Sequence, residues 1–129
     1  MLELLGIHHI AIICSDYEKS KYYYTEILGF KIISEEFRAE RNSYKLDLAL
    51  GEAYIIELFS FPTPPARVDS PEACGLRHLA FAVRDILLTI GHFESLGLAI
   101  EALRVDPLTG KRYTFTHDPD GLPIEFYEQ

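Results

Sequence analysis

The sequence predicts an α+β fold of two tandem βαβββ modules, and three observations predict it. The segment HIAIICSD (9–16) aligns with HLAFAVRD (78–85), placing His9 on His78 and Asp16 on Asp85, each pair 69 residues apart. Further along, ILGF (27–30) aligns with SLGL (95–98), and IIELFSF (55–61) with PIEFYEQ (123–129); Gly29 and Gly97, and Glu57 and Glu125, are then 68 residues apart. One residue is lost inside the second copy and the register holds from there to the end. Finally, each copy reads as one strand, one helix and three further strands.

In the first copy, residues 7–14 form an apolar strand. Ser15 and Glu18 make a capping-box pattern that opens a helix, with Tyr23, Tyr24, Ile27 and Leu28 on one side and Gly29 as its stop. Strands are expected near 30–38, 44–50 and 53–60, separated by AERNS and by Gly51-Glu52. The second copy predicts a strand at 76–83, a helix at 86–96 ended by Gly97, and strands near 99–105, 112–117 and 122–128. The DPDG before the last strand is a turn signature, since Pro presets φ and Gly accepts positive φ. The modules cover about 5–60 and 75–129, with a proline-rich ordered linker at about 61–74. Each half alone is a small sheet with one helix, so residues 1–129 are expected to act as one domain.

A chain of 129 residues, 48% apolar and 25% charged, can bury a core without disulfides or a structural metal. No apolar run approaches the ~20 residues needed to cross a bilayer. The start, MLELLGIHHIAII, lacks a basic region and a cleavage site, so a cytoplasmic protein is expected. A net charge of −8 repels phosphate backbones and anionic lipid, which argues against nucleic-acid and membrane partners. Cys14 and Cys74 have no CxxC spacing and read as thiols in packing or loop positions.

Strand alternation selects the candidate site. His9 shares a face with Ala11 and Ile13, and Glu57 with Ile55 and Phe59, opposite the apolar Ile56 and Leu58. The same parity places His78 with Ala80 and Ala82, and Glu125 with Pro123 and Tyr127. A charged glutamate inside an apolar strand costs several kcal/mol unless it is paired or bound to a cation. Two glutamates and two histidines at repeat-equivalent positions therefore point to one shared site for a divalent ion, zinc or nickel ahead of cobalt, manganese or Fe(II). His8 has the opposite parity and reads as outside the site. His92 reads as helix surface, and His117 as a turn residue that could border a pocket. Lys111 and Arg112, with Arg104 one strand earlier, form a local basic cluster able to bind an acidic substrate, and Tyr113 and Phe115 alternate on that strand.

The segments HHIAI, ELFSFP, GLRHLAF and DPDGLPIE resemble the vicinal oxygen chelate superfamily, most closely its glyoxalase I branch with the small bacterial glyoxalase-like proteins. The resemblance covers essentially the whole chain. It implies paired modules forming a cup-shaped mixed sheet with helices outside, around one divalent metal held by His9, Glu57, His78 and Glu125. It also implies a likely-sized partner set of the family: a small-molecule substrate and a homodimer, in which one site can draw on one chain or two.

The implied activity is that of a lyase or isomerase similar to lactoylglutathione lyase, acting on the thiol hemithioacetal of methylglyoxal or a related small α-oxygenated compound. Proton transfer through a metal-bound enediolate would use Glu125, or else Glu57, as base, with Lys111, Arg112, Arg104, Tyr113 and Phe59 contacting substrate and a low-molecular-weight thiol as co-substrate. Glutathione-using members carry Arg and Asn four residues after the first two ligands, where this chain has Ile13 and Phe61, so the resemblance does not carry glutathione over. Two other readings stay open. One is an Fe(II) facial-triad dioxygenase using His9, His78 and Glu125 without Glu57, and the other is a non-enzymatic protein that binds metal or a small ligand.

Overall fold

The computed structural model describes residues 1–129, in which the chain forms two units, Met1–Ala66 and Arg67–Gln129. The first unit contains β1 (Ile10–Cys14), α1 (Tyr17–Tyr22) with a π-helical continuation (Tyr23–Ile27), β2 (Lys31–Arg38), β3 (Ser43–Leu50) and β4 (Ala53–Ser60). The second contains β5 (Leu79–Val83), α2 (Ile86–Ser95), β6 (Arg104–Val105), β7 (Arg112–His117) and β8 (Pro123–Glu128). The strand orders are β1-β4-β3-β2 and β5-β8-β7-β6, so the sequence repeat is a repeat of topology. In each sheet the first strand runs parallel to the last, while the other pairs are antiparallel. A parallel pair requires a long crossover, which the helix and two intervening strands provide.

Both helices start on a repeat-aligned aspartate. Asp16 is extended, at φ −124 and ψ 104, and its side chain accepts the Lys19 N–H at 3.1 Å. Asp85 accepts the N–H groups of Leu87 and Leu88 at 2.9 and 3.0 Å. The expected Ser15–Glu18 box is therefore displaced by one residue: Asp16 is the cap, and its carboxylate also suits the positive end of the helix. Both helices end through a glycine in the left-handed region, Gly29 at φ 83 and Gly97 at φ 68. At the second end, Leu98 N–H bonds to Phe93 O and Gly97 N–H to Glu94 O, both at 3.0 Å, a Schellman closure.

In the first unit Leu46, Leu48, Ile56 and Leu58 are fully buried, together with Tyr24 from the π-helical turn. Each such aliphatic side chain contributes about 1.5–3 kcal/mol by leaving water. The second unit repeats this with Ile86, Phe93, Ile124 and Phe126, the Phe93 and Phe126 rings lying 5.4 Å apart. Helix-facing and opposite faces alternate along β4 and β8, which leaves Glu57 and Glu125 only partly covered on the face away from the helices.

Three strands are shorter than expected. β1 and β5 begin at Ile10 and Leu79, leaving His9 and His78 just ahead of them. The strand expected at 99–105 is paired only at Arg104–Val105. Upstream, the Thr114 and Thr116 hydroxyls donate to the carbonyls of Glu101 and Ala99 at 2.7 and 2.6 Å, so side chains replace part of the ladder. No helix is long and apolar enough to cross a membrane.

Candidate functional site

In the first unit, register brings the polar side chains together. Glu57 stands between Ala11 on β1 and Asp47 on β3. His9 reaches back so that its Nε2 lies 3.2 Å from Glu57 Oε2. The Tyr54 hydroxyl donates to the same oxygen. Burial, the hydrogen bond to Glu57 and the nearby Asp47 charge push the Tyr54 phenol well above its ordinary range, so it remains a donor. Asp47 is held by Lys45 Nζ at 3.0 Å and Ser34 Oγ at 2.9 Å. Burial pushes its carboxyl up, but these contacts outweigh it and leave Asp47 below the usual carboxylate range.

His8, expected to face away, is instead at the site's edge. Its Nδ1 is 2.8 Å from His9 Nδ1, because both residues precede β1 and escape its alternation. Phe59 is stacked near Phe61, with the Arg38 guanidinium 4.9 Å above the Phe59 ring. Arg38, Lys45, Asp47 and Tyr54 were not among the candidate residues. The parity that selected Glu57 also selects Lys45 and Asp47 once the β3–β4 register is known.

In the second unit, Glu125 lies between Ala80 on β5 and Phe115 on β7. His78 Nε2 is 3.0 Å from Glu125 Oε2, and its ring meets Phe115 edge-on at 5.1 Å. Arg77, another residue missed by sequence reading, places Nη1 3.1 Å from His78 Nδ1. A cavity of about 860 Å³ opens here, lined among others by His78, Arg104, Tyr113, Phe115, His117 and Glu125. Arg104 lies 5.2 Å above both the Tyr113 and Phe115 rings and pairs with Glu101 at 2.5 Å. His92 is exposed and lies edge-on to Phe93.

Two expected substrate contacts are not brought to this cavity. Arg112 projects from β7 on the face opposite Tyr113 and Phe115, where its Nε and Nη2 each bond Glu128 at 2.6 Å. Lys111 is exposed ahead of β7 and does not line the cavity. The cause for Arg112 is alternation: odd-numbered residues of β7 face the cavity and even-numbered ones face α2.

Each unit thus holds one imidazole and one carboxylate in contact, and nowhere do three His, Cys, Asp or Glu side chains form a metal-ready group. Two donors on one divalent ion with bonds of about 2.1 Å, at right angles, stand about 3 Å apart. The separations of 3.2 and 3.0 Å match that spacing, and imidazole with carboxylate is a donor set suited to first-row divalent ions. Each pair fits as half of a ligand set.

Residues 6–126 match the Glyoxalase/Bleomycin resistance protein/Dioxygenase superfamily. The chain is 59% identical over 129 residues to the uncharacterized protein YaeR of Escherichia coli (strain K12), covering 100% of both chains. It is 60% identical over 126 residues to the uncharacterized protein YwkD of Bacillus subtilis (strain 168), covering 98% of each. The crystal structure of the glyoxalase family protein from Enterococcus faecalis is similar at a TM-score of 0.89 and 48% identity, over 96% of this chain and 98% of that one.

Proposed function

Because this chain belongs to the Glyoxalase/Bleomycin resistance protein/Dioxygenase superfamily, we propose that it is a divalent-metal-dependent lyase or isomerase of glyoxalase type. Its substrate in this reading is the hemithioacetal of methylglyoxal with a low-molecular-weight thiol, or a related small α-oxygenated compound. The observation that carries the reading is the recurrence of one His–Glu contact in both units, His9 with Glu57 and His78 with Glu125. These four residues would hold the ion, zinc or nickel first, as one domain spanning residues 1–129 whose halves cooperate within a chain or across a cytoplasmic homodimer.

A bound ion supplies Lewis acidity that polarises the oxygens beside the reacting carbon. The chain itself supplies the proton chemistry. A glutamate carboxylate removes a proton from one carbon and returns it to its neighbour. Glu125 suits this role better than Glu57, because the Tyr54 hydroxyl already occupies Glu57 Oε2 while Glu125 carries only the His78 contact. Phe115 and Tyr113 shield the proton in transit, and Arg104 above them offers unused N–H donors to a substrate oxygen.

The Tyr54 contact also favours a second reading. If it removes Glu57 from the ligand set, His9, His78 and Glu125 remain as an Fe(II) triad for oxygen chemistry. One experiment separates the two: metal analysis of protein purified without added metal, then turnover of methylglyoxal hemithioacetals of glutathione and other thiols, with Glu57→Gln and Glu125→Gln alongside. Chelator-sensitive turnover that Glu125→Gln abolishes and Glu57→Gln reduces supports the lyase. Normal turnover in both variants overturns it, and activity confined to Fe(II) and O₂ on a catechol, tolerant of Glu57→Ala, supports the second reading instead.

A further inference from the structure

His8 and Arg77 hold the same place in the two copies, 69 residues apart, each directly before one of the paired histidines. Both contact the Nδ1 of that histidine, His8 through its own Nδ1 at 2.8 Å and Arg77 through Nη1 at 3.1 Å. On the far side of each ring, Nε2 faces Glu57 or Glu125.

The two neighbours differ in one chemical property. A guanidinium donates five N–H bonds and accepts none, whereas an imidazole nitrogen takes either role according to tautomer. With Arg77 seated, His78 Nδ1 must present its lone pair, and the ring proton sits on Nε2, donated to Glu125. A neutral histidine that binds a metal through Nε2 needs the reverse, a lone pair at Nε2 and a proton at Nδ1. His9 can make that exchange in place, since His8 can switch from donor to acceptor. Arg77 has no acceptor to offer.

Resting on the metal-dependent reading above, we infer that Arg77 is a gate on His78: it holds the tautomer that cannot ligate through Nε2, and metal loading requires its guanidinium to withdraw from Nδ1. The surroundings fit such a movement. Arg77 Nη2 already pairs with Glu72 at 3.1 Å, which gives the guanidinium a second seat, and both side chains are more than half exposed. Arg67 Nη2 donates to the carbonyls of Leu76 and Arg77 at 2.9 Å each, so the backbone stays anchored while the side chain moves. Arg77 is in this sense a positioning residue, acting through His78.

The test is nitrogen NMR of the histidine rings in the full, metal-free chain at about pH 8, above the ordinary histidine range, for wild type, Arg77→Gln, Arg77→Met and Arg77→Lys. Wild type and Arg77→Lys are expected to show His78 protonated at Nε2. In Arg77→Gln, whose amide oxygen accepts, an Nδ1-protonated population should appear. A wild-type His78 already protonated at Nδ1, or no change in Arg77→Gln, overturns the inference whether or not metal binds. Zn(II) titration then separates hydrogen bonding from charge. The gate predicts affinity about tenfold higher in Arg77→Gln than in the equally uncharged Arg77→Met, with wild type and Arg77→Lys weakest. Equal affinities for Gln and Met overturn it. Failure of all four proteins to bind Zn(II), with the expected metal-free tautomers, would count against the metal-dependent reading and leave the tautomer assignment standing.

Discussion

Arg112 grips Glu128 at two points, and the same carboxylate also accepts the backbone N–H of Ile86, the first residue of α2, at 3.3 Å. The pair therefore fastens β7 and β8 to the start of the helix. Glu35 has a similar part in the first unit, accepting from the Tyr17 hydroxyl and from Lys21 Nζ of α1, the latter at 2.7 Å.

These fastenings set an acid limit on stability. The Arg112 guanidinium holds Glu128, and Lys21 with Tyr17 holds Glu35, below the ordinary glutamate value of 4.5. A depressed folded pKa contributes stability that is present above the unfolded value and lost as pH falls through the folded one. Thermal melts should therefore be flat from about pH 7 to 5 for these two groups, then fall below 4.5, and the Glu35→Gln/Glu128→Gln double variant should show a shallower decline. An unchanged acid slope in the double variant would remove both contacts from the account.

Arg104 and Arg112 should separate cleanly in kinetics. Loss of a substrate contact that is equal in ground and transition states raises KM and spares kcat. Arg104→Ala, from the cavity wall, is expected to raise KM for the hemithioacetal about tenfold with kcat within about twofold. Arg112→Ala should leave both constants unchanged while lowering the melting temperature. A KM effect confined to Arg112→Ala would reverse the assignment of faces.

Metal should stabilise the fold. Zn(II) or Ni(II) at about 100 times its Kd adds about 2.7 kcal/mol by mass action. Calorimetry should then show a rise in Tm on the order of 10 °C. His9→Ala and His78→Ala should each abolish it. A rise that survives in both variants would place the ion elsewhere.

Much of this site was legible in the chain because its signals are local and periodic. Alternation put Glu57 opposite the helix-facing Ile56 and Leu58, and the repeat carried the same pattern to Glu125. The alternation that united Tyr113 with Phe115 also places Arg112 on the other face, although the clustering of basic residues in sequence had suggested a shared role. His8 escaped for the opposite reason: it precedes β1, where alternation no longer applies. The helix cap shifted to Asp16 because its extended backbone aims the carboxylate at the Lys19 N–H, a detail of dihedral angle that a four-residue pattern does not contain.

The sequence by itself determined the two βαβββ modules, the glycine-ended helices and the repeat-equivalent histidines and glutamates, since hydrophobic period and a 68-residue spacing survive without coordinates. Only the tertiary structure decided which neighbours act on those residues: Tyr54 on Glu57, Arg77 on His78, Arg104 over Phe115. The physical reason is that a hydrogen bond or ring contact depends on a few tenths of an ångström and on donor direction. Strand register, loop path and rotamer set those quantities, and the periodicity of the chain encodes only the first of them in part.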